Sequence, residues 1–139
     1  MRYWLFKSEP NTWSWDQQVA KGDKGEEWDG VRNYQARNNM REMKLGDLGF
    51  FYHSVNEKQI VGIVEVCAEI HPDSTTDDAR WECVDIKAVA PIPMPVTLAE
   101  IKAEARLADF ALVKQSRLSV VPVSADEWKL ICTMGGYAP

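Results

Sequence analysis

Long apolar runs, cysteine and excess positive charge are all scarce in this 139-residue sequence. No apolar stretch approaches the roughly 20 residues that span a bilayer, so no membrane partner is expected. The amino terminus, MRYWLFKSEP, has only four consecutive apolar residues before Lys7, too few for the apolar segment of a signal peptide. The expected location is the cytoplasm. Cys67, Cys83 and Cys132 are odd in number and far apart, each within an apolar pattern, which fits reduced, buried thiols better than a disulfide frame. None belongs to a CxxC pair. Cys67 and His71 are four apart on a stretch that reads as a strand, where even spacing only places both on one face, so neither a metal nor any other cofactor is expected. The net charge of −5 argues against the broad basic surface that grips duplex DNA, but it leaves room for a local cationic patch.

What is present is an ordinary globular composition, 45% apolar and 27% charged, in a chain long enough to bury a core as one domain over residues 1–139. Unusual chemistry is concentrated between Trp28 and Lys44, WDGVRNYQARNNMREMK. Asp29-Gly30 is a turn pair and Asn33 stands where a helix N-cap belongs, so a helix is predicted from Tyr34. Ala36, Met40 and Met43 fall on its apolar stripe, with Asn33, Arg37, Arg41 and Lys44 on the adjacent one. The helix N-terminus offers unpaired N–H groups, to which Arg32, Arg37 and Arg41 add charge, and these three are the candidate phosphate contacts. Trp28 offers a π face beside amides that can read hydrogen-bonding edges, which is how a base taken out of its stack is held. The structural alternatives are a solvated helix face and a core tryptophan.

Along the chain, Tyr3 to Ser8 reads as a buried strand ending in polar Lys7, Ser8 and Glu9. Thr12 or Ser14 can cap a short helix through Val19, with Trp13 or Trp15 covering the core. Lys21 to Glu27 reads as a loop. Leu48 to Ser54 is an aromatic central strand, Gln59 to His71 returns with Ile60, Gly62, Val64, Val66, Ala68 and Ile70 on one face, and Ala79 to Ala90 completes an antiparallel meander. Pro91, Pro93 and Pro95 are expected to end the sheet. Capping boxes at Thr97–Glu100 and Ser124–Glu127 open two more helices, the last burying Trp128, Ile131 and Cys132. Between them, Lys114 to Val120 is a second polar and cationic segment entering a short Val-rich strand. The fold class is α+β, a small curved or closed sheet with helices around it.

The segments KSEP (Lys7 to Pro10), WDGVRNYQARN (Trp28 to Asn38), FFYHS (Phe50 to Ser54) and SRLSVVPVS (Ser116 to Ser124) together resemble the EVE domain family, over nearly the whole chain and in order. The resemblance implies a PUA-like β-barrel, small, mixed or antiparallel, surrounded by short helices and related to the YTH domains that bind N6-methyladenosine in RNA. It also implies a pocket for a flipped, modified base in DNA or RNA. Carried over by position, that pocket draws on Lys7, Ser8, Trp28, Asn33, Tyr34, His53, Ser54, Ser116 and Arg117. A module that only recognises such a base is expected to work with a nuclease, methyltransferase or RNA-processing partner.

Catalysis is the competing expectation. His53 and Ser54 are adjacent on a strand and point to opposite faces, so they do not form a nucleophile and base, and no GxSxG elbow accompanies them. Glu9 as a base with Lys7 or His53 as acid, cutting a glycosidic or phosphodiester bond, is the better enzymatic alternative, and a second acid facing Glu9 would favour it. A scaffold for protein partners is the remaining class. Recognition without catalysis is the expectation adopted.

Overall fold

In a computed structural model describing residues 1–138, the elements follow one another as β1 (Tyr3–Ser8), α1 (Trp15–Ala20), β2 (Glu26–Glu27), α2 (Tyr34–Arg41), β3 (Leu48–His53), β4 (Gln59–Pro72), β5 (Glu82–Thr97), α3 (Leu98–Ala103), α4 (Ala111–Lys114), β6 (Val120–Val123) and α5 (Ala125–Met134). The strands form one mixed sheet in the order β2-β5-β4-β3-β1-β6, and the short helices pack around it as an α+β fold. β1 is parallel to β3 on one side and antiparallel to β6 on the other. Trp4, Leu5 and Phe6 are fully buried, which is why the strand reads as a continuous apolar run rather than an alternation. No helix of the described residues is long and apolar enough to cross a membrane.

The β3–β4–β5 meander is antiparallel, as the period-two pattern predicts. Register shifts interrupt it along β4, and Ile63 is buried as well as Ile60, Gly62, Val64 and Val66. Gly62 has a steric reason: a Cβ there would lie 2.4 Å from the Trp15 ring. Trp15 is thus the core residue of its pair, meeting Phe51 edge-on at 5.4 Å, and Trp13 is left for another use.

Two expectations are corrected. The three prolines do not end the sheet, because β5 continues through them to Thr97. β2 flanks β5 only at Asp85 and Ile86, so beyond that point β5 is an edge strand whose outer N–H groups no ladder needs. The barrel is also not closed by strand pairing, since β2 and β6 are the sheet's two edges. β2 is two residues long and β6 four, and α2 packs against both β5 and β6. Asn39 Nδ2 donates to Val120 O at 2.8 Å and Arg41 Nε to Glu82 Oε1 at 2.6 Å, so the helix bridges the two ends of a curled sheet.

The caps are where the sequence puts them. Ser14, Asn33, Thr97 and Ser124 each accept a backbone N–H at their helix starts, three of them in reciprocal capping boxes. The helix after Thr97 ends at Ala103, and a 3-10 turn follows over Ala105–Leu107.

Candidate nucleic-acid interface

Two cavities open at the carboxyl end of β1, and Lys7 and Ser119 stand in the walls of both. The first has a volume of about 520 Å³ and is lined by Ser8, Trp13, Trp28 and Arg32, with the carboxylates of Glu9, Glu26, Glu27 and Asp29. Trp28 is 8% exposed and is backed edge-on by Phe6 at 5.5 Å and Phe51 at 5.8 Å. The Trp28 backbone N–H donates to Val84 O at 2.8 Å, which ties the cavity wall to β5. Trp28 is therefore both a core residue and a cavity wall. Trp13 supplies a second indole, held by a bond from its Nε1 to Gln18 Oε1 at 3.0 Å. Ser8 is buried and its hydroxyl donates to the Trp13 carbonyl.

The carboxylates make this cavity unwelcoming to phosphate. Burial, and then the neighbouring charges of Asp73, Glu27 and Glu26, push the Asp29 carboxyl above its usual range. Acids on a cavity rim suit a ligand that presents N–H donors, such as an exocyclic amine. The adjoining wall is held from outside by Asp73, a buried residue after β4 whose Oδ2 accepts from Gly30 N at 2.9 Å and Arg32 Nη1 at 3.1 Å. Gly30 has φ +76°, which suits glycine at this turn.

The second cavity, about 670 Å³, has the opposite character. Lys7, Lys58, Lys102 and Arg117 line it with Tyr52, Ser54, Ser116 and Ser119, and no acid does. Lys7 Nζ donates to Ser116 O at 2.8 Å, and burial pulls the amine below its ordinary range.

The residues expected at one pocket are thus distributed. Lys7, Ser8, Trp28 and Arg32 meet at the first cavity, and Lys7, Ser54, Ser116 and Arg117 at the second. His53 lies outside both, with Nε2 accepting from Trp15 N at 3.0 Å and Nδ1 3.2 Å from Glu57. These bonds pin the imidazole between the start of α1 and the loop after β3. Tyr34 stacks on Trp81 at 5.0 Å, away from the cavities. The three arginines named for phosphate are engaged by the protein: Arg32 with Asp73, Arg37 with Arg80 O and Asn38, Arg41 with Glu82. Sequence reasoning missed Trp13, Asp29, Ser119, Lys58 and Lys102. Asp29 was visible beside Trp28 but read only as a turn former.

Asn33 is used as a cap, its Oδ1 accepting from Ala36 N at 2.9 Å, and it lines a separate shallow depression with Gln35, Ser116 and Arg117. Asn33→Ala should cost about 1 kcal/mol and Asn33→Asp much less, as read from thermal melts. Asn33 lies outside the lining of the first cavity, so any ligand binding there should survive both, which nucleoside titration checks.

Glu27, His71 and Cys83 bring ligand-type atoms within 4.8 Å of one another, but their hydrogen bonds are already internal. His71 Nε2 lies 2.8 Å from Asp85 Oδ1 and Nδ1 3.0 Å from Pro72 O, two acceptors that require both ring nitrogens to donate. Burial opposes the charge, yet these bonds outweigh it and raise the His71 pKa. His71 thus serves as a hydrogen-bonded link between β4 and β5.

An aromatic cavity rimmed by acids and joined to a cationic one defines a small α+β module with a two-part pocket at the end of β1. The EVE domain model matches residues 2–134, and the chain belongs to that family. It is 59% identical to a structural-genomics protein of Agrobacterium tumefaciens, with a TM-score of 0.98 over 99% of this chain and 95% of that one. It is 32% identical to human thymocyte nuclear protein 1 over 99% of its own length and 75% of that protein's. A crystal structure of human THYN1 protein in complex with 5-methylcytosine-containing DNA superposes with a TM-score of 0.92 at 31% identity, over 100% of both chains. The YTH domain of the Zygosaccharomyces rouxii MRB1 protein shares the fold, with a TM-score of 0.59 at 16% identity over 99% of this chain and 88% of that one.

Proposed function

We propose that this protein recognises a modified base in nucleic acid, taken into the first cavity against Trp28 and Trp13 with its amino edge toward Asp29. The observation that carries this is Trp28 itself, an indole fixed by Phe6 and Phe51 that still lines a cavity of about 520 Å³. A rigid aromatic wall provides stacking without an ordering cost, and a carboxylate accepts from the exocyclic amine of cytosine. The DNA complex of human THYN1 supports a 5-methylcytosine-type ligand. Recognition alone does no work in a cell, so a nuclease, methyltransferase or RNA-processing factor is the proposed effector.

The test is titration of 5-methyl-2′-deoxycytidine, 2′-deoxycytidine and thymidine, which lacks the amine, followed by tryptophan fluorescence, on the wild type and Asp29→Asn. Saturable binding that prefers the methylated nucleoside, and a preference for amino-bearing bases that drops in Asp29→Asn, is the expected result. No binding of any modified nucleoside or of an oligonucleotide containing one would end this reading.

A second reading has its own observation. Glu9 and Asp29 both line the first cavity, and burial and neighbouring acids shift the Asp29 carboxyl upward, as a general acid's would be. Glycosidic cleavage would release free base from a modified oligonucleotide, with loss of release in Glu9→Gln. Mass spectrometry of the products separates the two readings.

A further inference from the structure

We infer that the second cavity is the phosphate site of the same interface: the strand that delivers its base to the first cavity passes over Lys7 and lays its flanking phosphates against Lys58, Lys102 and Arg117. This rests on the base-binding reading of the first cavity and assigns its backbone contacts to residues other than the arginines of α2. In a chain of net charge −5, four cations line one cavity and no carboxylate does. Lys58, Lys102 and Arg117 have no ion-pair partner among the described residues, whereas Arg32 and Arg41 are each paired with an acid and Arg37 is held by Arg80 O and Asn38. A cation already neutralised by a carboxylate has little left for a phosphate, so the unpaired set carries the anion affinity.

The two cavities are contiguous through Lys7 and Ser119 but opposite in charge, which matches a nucleotide's own division. Its base presents donors and a π face, and its backbone presents anions. The hydroxyls of Ser54, Ser116 and Ser119 add hydrogen-bond donors of the kind that seat phosphate oxygens. The hairpin at the rim is conformationally unusual. Val55, 58% exposed, has φ +71° and Lys58 has φ +24°, both in the region that L side chains avoid. Such strain gathers where a loop is held in shape for contact.

The experiment is a salt series with a fluorescently labelled oligonucleotide carrying one 5-methylcytosine, alongside titration of the free nucleoside. Lys58→Ala/Lys102→Ala should weaken oligonucleotide binding for modified and unmodified strands alike and reduce the slope of log K against log salt by roughly 2, about one per lysine. Nucleoside binding should be unchanged, and Arg37→Ala/Arg41→Ala should leave the slope alone. Arg117→Ala gives the same readout at a slope change of roughly 1 and serves if the double variant is poorly folded. An unchanged slope in the lysine and Arg117 variants, with the nucleoside still bound, would overturn the phosphate site and leave the base reading standing. A slope lost in the α2 variant instead would return the phosphates to that helix. Wild-type protein that binds neither nucleoside nor oligonucleotide would remove both.

Discussion

Trp28→Ala is expected to lose roughly 3 to 5 kcal/mol of stability and, in the fraction that remains folded, to bind every base ligand about 5- to 150-fold more weakly. The first effect follows from packing. The indole is 8% exposed between the rings of Phe6 and Phe51, and truncating it leaves a cavity beneath β1 and β3 that those rings cannot collapse to fill. The second follows from the same ring lining the first cavity, where roughly 1 to 3 kcal/mol of stacking per base disappears with it. Trp28→Phe separates them, because phenylalanine keeps a ring against Phe6 and Phe51 and restores most of the stability with part of the stacking face. Chemical denaturation and nucleoside titration below the melting transition measure the two quantities. A Trp28→Ala protein destabilised by several kcal/mol that binds normally when folded would take Trp28 out of the pocket.

The dual use of Trp28 shows where local sequence stops being informative. Caps were legible because each is a contact within three residues: Asn33 with Ala36, Thr97 with Glu100, Ser124 with Glu127. β1 and the meander were legible because burial on one face or two leaves a period in the residues. Pro91, Pro93 and Pro95 misled because an edge strand tolerates what a central strand does not, and edge position is a property of the whole sheet. The partners of the arginines were equally invisible. Arg41 meets Glu82 and Arg32 meets Asp73 across 41 residues each, and no local pattern announces either pair. Positive residues near a helix start therefore read as a phosphate site, while the unpaired lysines at 58 and 102 come from a hairpin and a helix that only the fold brings together.

Asp73 has the next largest effect, and it lies outside every motif the sequence offered. Its side chain is 1% exposed and accepts from Gly30 N, Arg32 Nη1 and Thr75 N at 2.9, 3.1 and 2.8 Å. Burial alone would raise the carboxyl, but the bonds from Thr75, Gly30 and Arg32 prevail and hold it at about 2, below the ordinary 3.8. A depressed carboxylate stabilises the folded state above its unfolded pKa and ceases to do so as pH falls through the folded one. That difference is worth roughly 2 kcal/mol at neutral pH, lost between about pH 4 and pH 2. Asp73→Ala should cost more, roughly 3 to 5 kcal/mol, because it also strands the Gly30 N–H and the Arg32 guanidinium. Asp73→Asn keeps the volume without the charge, so its stability gap from the wild type should be widest near neutral pH and narrow by roughly 2 kcal/mol as the pH approaches 2. Urea titrations across that range measure the gap, and one that stayed constant would dissociate the Asp73 charge from stability. Because Gly30 and Arg32 line the first cavity, the folded Asp73→Asn protein should also bind modified nucleosides more weakly at pH 7, although Asp73 itself does not line that cavity. Unaltered nucleoside binding would show that the Asp29-Gly30 turn keeps its shape without the carboxylate behind it.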